Sequence, residues 1–378
     1  MIASRLHMLW RDRSVLQRFR TGVSLHSHTL HSHEDLGFVP QYTAKVPLLG
    51  SAIRQQQRRY QSRMGRSLDF SKAYWTPPLS PREAYEVERQ QLENDLDVTG
   101  LVSLTDHDNI EAGSLLSVVE QIGPIPISVE WTVPFGPSFF HIGVHNLPPQ
   151  HARSMMSDFA AHTRRPSRER LGEVLTAVNE FDETLVVLNH PLWDEACIGA
   201  VEHAQLLGRF LERHGKQIHA LELNGFRSWK ENAGVRWVAE HSGHPLISGG
   251  DRHGAEPNAI VNLTNAATFP EFVSEVRDDR MSDVLFMPQY DEPLRLRIIE
   301  TMWDIVRDYP ERASGRRRWS ERVFYQWEDG AVQPLSAIWN GNEPWPIKYF
   351  LNGLRVVKSQ GLRSALRVAL ADPQGARL

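Results

Sequence analysis

Seven short apolar runs punctuate the chain between residues 22 and 248. They cover residues 22–25, 101–104, 125–129, 139–144, 185–188, 218–223 and 245–248, and each is followed by polar residues. Continuous apolar runs of this length suit strands buried on both faces. Stretches with helical periodicity lie between several of them. Ser80-Pro81-Arg82-Glu83 opens one with an N-cap serine, a proline at the first helical position and a glutamate placed to complete a capping box. That helix is expected over 80–95, with others over 168–179, 201–214 and 229–241. Strand–helix alternation implies a mainly parallel sheet, and seven repeats can close into a barrel.

Two segments break the alternation. Residues 35–79 are far too many for an ordinary connection between a strand and its helix. The stretch from residue 288 onward carries helical patterns at 294–307 and 347–368, around a part rich in Trp, Arg and Gly. The expected organisation is therefore an α/β barrel domain over 1–287, with an insertion at 35–79, and a helical C-terminal extension over 288–378. The length of 378 residues fits one barrel of about 250 residues plus such additions.

Composition narrows the function. Apolar residues make up 41% and charged residues 23%, as in ordinary soluble proteins. A net charge of -4 supplies no global basic field for nucleic acid. The single cysteine, Cys197, excludes a disulfide framework and cysteine-rich zinc sites. The first twenty residues carry charges throughout and lack the apolar core of a signal peptide. No apolar run reaches the roughly 18 residues of a membrane span. A cytoplasmic location without membrane contact is the expectation.

The 17 histidines change the picture, because many sit in clusters with acidic neighbours. The first run ends in His26-Ser27-His28-Thr29-Leu30-His31-Ser32-His33. In an extended strand alternate side chains share a face, so His26 and His28 can serve one metal. The second run ends in Thr105-Asp106-His107-Asp108 and the third in Glu130. The fourth carries His141 and His145, and the fifth ends in Asn189-His190-Pro191. The sixth ends in Glu222-Leu223-Asn224, the seventh in Gly249-Gly250-Asp251-Arg252-His253. In α/β barrels the C-terminal edge of the strands is where catalytic groups converge. So many strand ends offering His, Asp or Glu point to a metal site.

In this order the motifs resemble the polymerase and histidinol phosphatase (PHP) family of metal-dependent phosphoesterases, over about residues 20–285. The resemblance implies a distorted seven-stranded (β/α)7 barrel and two to three divalent transition-metal ions. It would assign His26, His28, Glu130 and Asp251 to the first ion. His33, His107 and His253 would hold the second. His141, His190 and the shared Glu130 would hold the third. His145 lies on the same strand face as His141, so spacing does not choose between them. The resemblance favours His141, because Gly143 and Val144 follow it as in the family.

Imidazole and carboxylate donors together suit zinc, manganese or iron. Closely spaced ions of this kind activate a water and clamp a phosphoryl group. Asp106 is a candidate catalytic residue, as a proton acceptor or as an orienter of histidine. Arg252 is a second candidate, through contact with a phosphate or, as readily, through an ion pair facing away. Arg54, Arg58, Arg59, Arg63 and Arg66 lie in the insertion without an intervening acidic residue. Arg58, Arg59 and Arg63 are candidate contacts to an anionic substrate, as is Arg227 after the sixth strand; a solvated helix is the alternative for the cluster. The expected activity is hydrolysis of a phosphate mono- or diester of a small molecule or nucleotide. The competing readings are an exonuclease on single-stranded nucleic acid and a metal-binding module without catalysis.

Overall fold

The computed structural model describes residues 3–37, 47–65, 69–312, 316–339, 345–357 and 360–370. In chain order the strands are β1 (Ala3–Met8), β2 (Thr21–Leu25), β3 (Glu34–Asp35), β4 (Ala73–Trp75), β5 (Thr99–Ser103), β6 (Val129–Phe135) and β7 (Ser138–His145). They continue with β8 (Leu185–Asn189), β9 (Ala220–Asn224), β10 (Leu246–Gly249), β11 (Ile260–Thr264), β12 (Met281–Phe286), β13 (Val323–Gln326) and β14 (Val332–Pro334).

Two five-stranded sheets form the body of a mixed α/β fold. One has the order β1-β12-β11-β2-β5, the other β10-β9-β8-β7-β6. Isolated bridges join them at both borders, Ser27 to Arg252 and His107 to Glu130. Neither sheet is closed into a barrel by a continuous ladder. The sheets share an apolar interior. Val23 and Leu25 from one meet Leu185, Val187, Ala220 and Ile247 from the other. Helix Phe269–Arg277 plugs one end of it with Phe269, Phe272, Val273 and Val276.

The apolar runs at 22–25, 101–104, 139–144, 185–188, 218–223 and 245–248 all lie on strands, with ends shifted by a residue or two. The run at 125–129 is different. The strand begins only at Val129 and continues to Phe135, where it turns back as an antiparallel hairpin with β7. Ile125 and Ile127 are buried without being in a ladder, so their apolarity reports core rather than strand. The sheets are also less parallel than expected. β7 runs against both β6 and β8, and β11 against both β2 and β12.

Three further strands of the body escape an apolar-run criterion for local reasons. β1 alternates and carries Arg5 and His7, both bound to Asp283 of β12, with Arg5 Nη2 to Asp283 Oδ2 at 2.6 Å. β11 contains buried Asn262, which accepts from the Ser248 amide at 2.9 Å and donates to its hydroxyl at 2.7 Å. β12 is interrupted by Ser282 and Asp283, both buried: Asp283 by its bonds to Arg5 and His7, Ser282 by its own to the Ser4 hydroxyl and the Leu246 carbonyl.

The capping box forms as the sequence predicts: Ser80 accepts from the Glu83 amide, and Glu83 accepts from the Ser80 amide at 2.9 Å. Helix Pro81–Gln90 then widens into a π turn at Gln91–Asp95. Helices Arg168–Asn179, Ala200–His214, Trp229–Ser242 and Leu294–Val306 fall where periodicity places them. The extension is not purely helical. β13 pairs with β4 of the insertion and with β14, giving a third sheet in the order β14-β13-β4-β3. The pattern at 347–368 resolves into Trp345–Val357 and Gln360–Ala369. No described helix is long and apolar enough to cross a membrane.

Phe272 is 2% exposed in the interior plug. Phe272→Ala should lower the unfolding free energy by about 3–5 kcal/mol, the usual range for emptying a buried aromatic site. Urea unfolding of wild type and variant measures this; a loss below about 1 kcal/mol would mean the plug is not part of the cooperative core.

Candidate metal centre

The strand ends are locked together before any side chain is considered. The Asp251 amide donates to the His26 carbonyl at 2.6 Å, and the His28 amide to the Arg252 carbonyl at 2.9 Å. The Thr105 amide reaches the Ser27 carbonyl at 2.9 Å, and the Asp108 amide the Glu130 carbonyl at 2.9 Å. Where they leave the sheet, several residues adopt left-handed backbone, with φ of +61° at His26, +28° at His190 and +52° at Asp251. Non-glycine residues pay for this conformation, and it concentrates at sites where geometry matters.

Glu130 is the centre of the group and is 0% exposed. Its Oε2 lies 3.0 Å from His26 Nε2, 3.4 Å from His28 Nε2 and 3.4 Å from His107 Nδ1. Its Oε1 lies 3.2 Å from His190 Nε2 and 3.6 Å from His141 Nδ1, and accepts from Asn189 Nδ2 at 2.9 Å. Asp251 approaches from β10, with Oδ1 3.7 Å from His28 Nε2 and 3.8 Å from His26 Nε2.

A second acidic residue faces the other side of the same imidazoles. Glu34 Oε2 lies 3.4 Å from His107 Nε2 and 3.3 Å from His253 Nε2. Three sets of donors fall within 4.8 Å of one another: His28, Glu34, His107 and His253; His26, His28 and Glu130; and His107, Glu130 and His141. His33 is not among them. Its side chain is exposed and its ring stacks on Tyr74 at 4.3 Å, while Glu34 turns inward beside it. Glu34 opens the short strand β3 (Glu34–Asp35) and is buried, while His33 precedes that strand and is exposed.

The donors fit a cation. Buried His26 Nε2, His28 Nε2 and Glu130 Oε2 have no hydrogen-bond partner. Two ligands of one ion with bonds of about 2.1 Å stand roughly 3–3.5 Å apart, which the spacings above match. Burial works to lower the pKa of His26, yet Glu130 and Glu222 outweigh it and raise it well above its ordinary value. Burial likewise opposes ionisation of Glu130, but His26 and its other histidine neighbours hold it well below the carboxylate range. Burial, with His253 beside it, lowers the pKa of His28 to about 4, and burial lowers that of His141, so positive charge is favoured at His26 and not across the whole cluster.

The remaining candidates sort by where they point. His145 lies away from the cluster, bound to Ser103 at 2.8 Å, and burial lowers its pKa to about 3. Only His141 of that pair faces Glu130. Asp106 accepts from the Thr29 amide at 2.5 Å and hydroxyl at 2.7 Å, and burial raises its pKa to about 7. It shapes the turn after His28. Arg252 points behind the site into an ion pair with Glu88 at 2.6 Å. Arg227 stays at the mouth, 3.5 Å from Asp251 Oδ2 and 3.9 Å above the Trp193 ring. Helix Pro47–Met64 carries Arg58 and Arg59 exposed; the side chain of Arg63, and all of Arg66, lie outside the described residues.

Sequence reasoning did not give roles to Glu34, Glu195 or Glu88, nor a specific one to Glu222. Glu222 accepts or shares a proton with His26 Nδ1 at 2.8 Å, which fixes that ring. A Cβ on Gly249 would collide with the Glu222 carboxyl, so the glycine there makes room for it. Glu195 Oε2 lies 3.9 Å from His141 Nδ1. The signal for Glu34 was its place next to His33; nothing local distinguished the two.

No family model matches this chain. No curated protein matches it either. Among solved structures it is similar to a protein of Bifidobacterium adolescentis described as a metal-dependent phosphoesterase, with 14% identity over 53% of this chain and 91% of that one and a TM-score of 0.33. It is also similar to PsfC of Pseudomonas syringae, with 15% identity, 76% and 98% coverage and a TM-score of 0.39. An amidohydrolase of Chromobacterium violaceum matches at 17% identity, 47% and 83% coverage and a TM-score of 0.30.

Glu34 and His33 can be separated by substitution. Glu34→Ala should reduce bound metal by about one ion per chain, because it removes the carboxylate facing His107 and His253. His33→Ala should leave the metal content unchanged. Elemental analysis of both purified variants reads this directly, and the opposite pattern would return the role to His33.

Proposed function

We propose that this protein is a metal-dependent phosphoesterase of the polymerase and histidinol phosphatase type, built on a distorted (β/α)7 barrel. The observation that carries the proposal is the convergence of His26, His28, His107, His141 and His190 on the buried Glu130 carboxylate, with Asp251, Glu34 and His253 alongside. Two to three zinc, manganese or iron ions fit this donor set of imidazole and carboxylate. When bound, such ions supply a water ionised near neutral pH and stabilise charge on phosphoryl oxygens.

The chain's own residues do the rest. Glu222 holds His26 through Nδ1 and leaves Nε2 directed at Glu130. Asn189 fixes one oxygen of Glu130, and Asn224 Nδ2 fixes Asp251 at 3.1 Å. Arg227 supports an anionic substrate. Its guanidinium carbon lies 3.9 Å from the Trp193 ring centre, with Nη2 3.5 Å from Asp251 and Nε 3.7 Å from Glu231. A guanidinium held in this way can grip phosphate oxygens with two prongs. Arg58 and Arg59, exposed on helix Pro47–Met64, and Arg63 of the same helix are further candidate contacts to an anionic substrate. A phosphorylated small molecule or nucleotide in the cytoplasm suits this reading, with the barrel over 1–287 and an extension over 288–378.

A screen of phosphate mono- and diesters with metal-loaded protein tests the reaction. The purified protein should carry two to three transition-metal ions per chain. His26→Ala, Glu130→Ala and Asp251→Ala should each lower kcat/KM by well over tenfold, which is about 1.4 kcal/mol in the barrier, with the fold retained by circular dichroism. Hydrolysis of amide or ester substrates but no phosphoester would refute the proposal, as would less than one ion per chain after reconstitution.

Arg227→Met should raise KM for a phosphoester by about tenfold or more, with metal content unchanged. Steady-state kinetics beside elemental analysis measures both. An unchanged KM would place Arg227 outside the substrate's reach.

A further inference from the structure

Behind the donor cluster, on the face turned away from it, lies a buried ion pair. Glu88 of helix Pro81–Gln90 meets Arg252 at 2.6 Å, and both side chains are about 1% exposed. The same Glu88 oxygen accepts from the Ser27 hydroxyl at 2.5 Å. The other oxygen accepts from the Ser24 hydroxyl and the Asn258 amide group. Arg252 also donates to the Gly254 carbonyl. At the next turn the Gln91 side chain exchanges two hydrogen bonds with the Asn258 backbone, both at 2.8 Å. The π turn begins at Gln91, and such turns widen the helix locally and re-aim side chains. One helix thus ties together β2, the end of β10 and the approach to β11.

The positions of Ser27 and Arg252 give this network its meaning. Ser27 lies between His26 and His28, and Arg252 between Asp251 and His253. Ser27 and Arg252 face Glu88, while His26, His28, Asp251 and His253 face the donor cluster. The two outward residues are bridged through their backbones and held by one carboxylate. Four inward donors from two different strands are thereby set at a fixed separation. Among the described residues Glu88 touches Ser24, Ser27, Arg252 and Asn258, and no donor of the cluster.

We propose that Glu88 and Arg252 are positioning residues, which set the metal affinity of the site formed by His26, His28, Asp251 and His253. The proposal rests on the reading of that cluster as a metal centre. Burying an ion pair contributes little net stability, and replacing both partners by apolar residues of similar size is often neutral. Its value here is geometric. The pair connects two strand ends at a place where an apolar contact would hold them at no particular distance. Residues that orient metal ligands from behind are worth about 10–100-fold in metal affinity.

The test is zinc titration of metal-free full-length protein against a chelator of known affinity, with thermal unfolding of each metal-free variant. Glu88→Gln should lower both the melting temperature and the zinc affinity. The double variant Glu88→Leu with Arg252→Met should recover a melting temperature within about 4 °C of wild type, while its zinc affinity stays about 10–100-fold weaker. Recovery of zinc affinity together with stability would overturn the proposal and leave the pair a purely structural one. If the double variant does not fold, Ser27→Ala removes the tie to Glu88 and leaves the ion pair intact. Its zinc affinity should fall about tenfold, and an unchanged affinity overturns the proposal equally. Failure of the wild-type protein to bind zinc at all would instead refute the metal centre itself.

Discussion

Everything around the strand ends answers to one buried carboxylate. Glu130 is inaccessible to water, and an ionised carboxylate in such a place is costly unless positive charge or donors surround it. Asn189 supplies one neutral donor. The remaining neighbours are imidazoles contributed by β7 and by the segments after β2, β5 and β8. Neutral imidazoles can hydrogen-bond to Glu130 only through protonated nitrogens, and those nitrogens would then be lost as metal donors. A cation in their midst would resolve both demands, because it would neutralise Glu130 and accept the lone pairs of the histidines. The orphaned His26 Nε2, His28 Nε2 and Glu130 Oε2 are the local sign of this conflict.

The backbone meets a related demand. For donors on separate strands to reach one carboxylate, the chain must turn sharply at the sheet edge. His26, His190 and Asp251 take positive φ to do so, at positions where glycine would be easier. Glycine, however, has no imidazole or carboxylate to give. The strain is held by backbone hydrogen bonds between the same segments, from the Asp251 amide to the His26 carbonyl and from the His28 amide to the Arg252 carbonyl. Gly249 and Gly250 supply room rather than rotation: a Cβ there would strike Glu222, which holds His26, or Asn258, which holds Ser24 and Glu88 behind the site.

The centre was legible in the sequence because it is built from strand ends, and strand ends are local. An apolar run followed by histidine or a carboxylate can be read without knowing the topology. His26, His28, His107, Glu130, His141, His190, Asp251 and His253 were legible in this way, and the structure brings them together. Glu34 was not, because choosing between it and His33 requires knowing that a two-residue strand forms there and which side faces β4. Arg252 was ambiguous for the opposite reason. Its direction depends on Glu88, which lies 164 residues away on a helix whose sequence shows only an amphipathic pattern. Strands β1 and β11 were hidden by polar residues whose partners are distant in sequence, namely Asp283 and Ser248. Hydrophobic periodicity records burial against the core, and it is silent on polar burial compensated from afar.

The same dependence on distant partners governs the C-terminal extension. As separate elements, the short strands β3 and β4 would be marginal, since two-stranded pairs of this length do not hold in water. β13 supplies the missing neighbour: Val323, Phe324 and Tyr325 pair with Trp75, Tyr74 and Ala73. Aromatic stacking runs through this small sheet, from His33 to Tyr74 at 4.3 Å and from Tyr74 to Phe324 at 5.2 Å. Arg316 of the extension adds a bond to the Leu30 carbonyl at 3.3 Å and another to Thr76 at 3.2 Å. The consequence reaches the centre through Glu34, which pairs with Trp75 at the far edge of this sheet while its carboxylate faces His107 and His253. An extension some three hundred residues along the chain therefore stabilises the strand that presents one of the donors, and the insertion between them is fastened at both of its ends to the rim of the site.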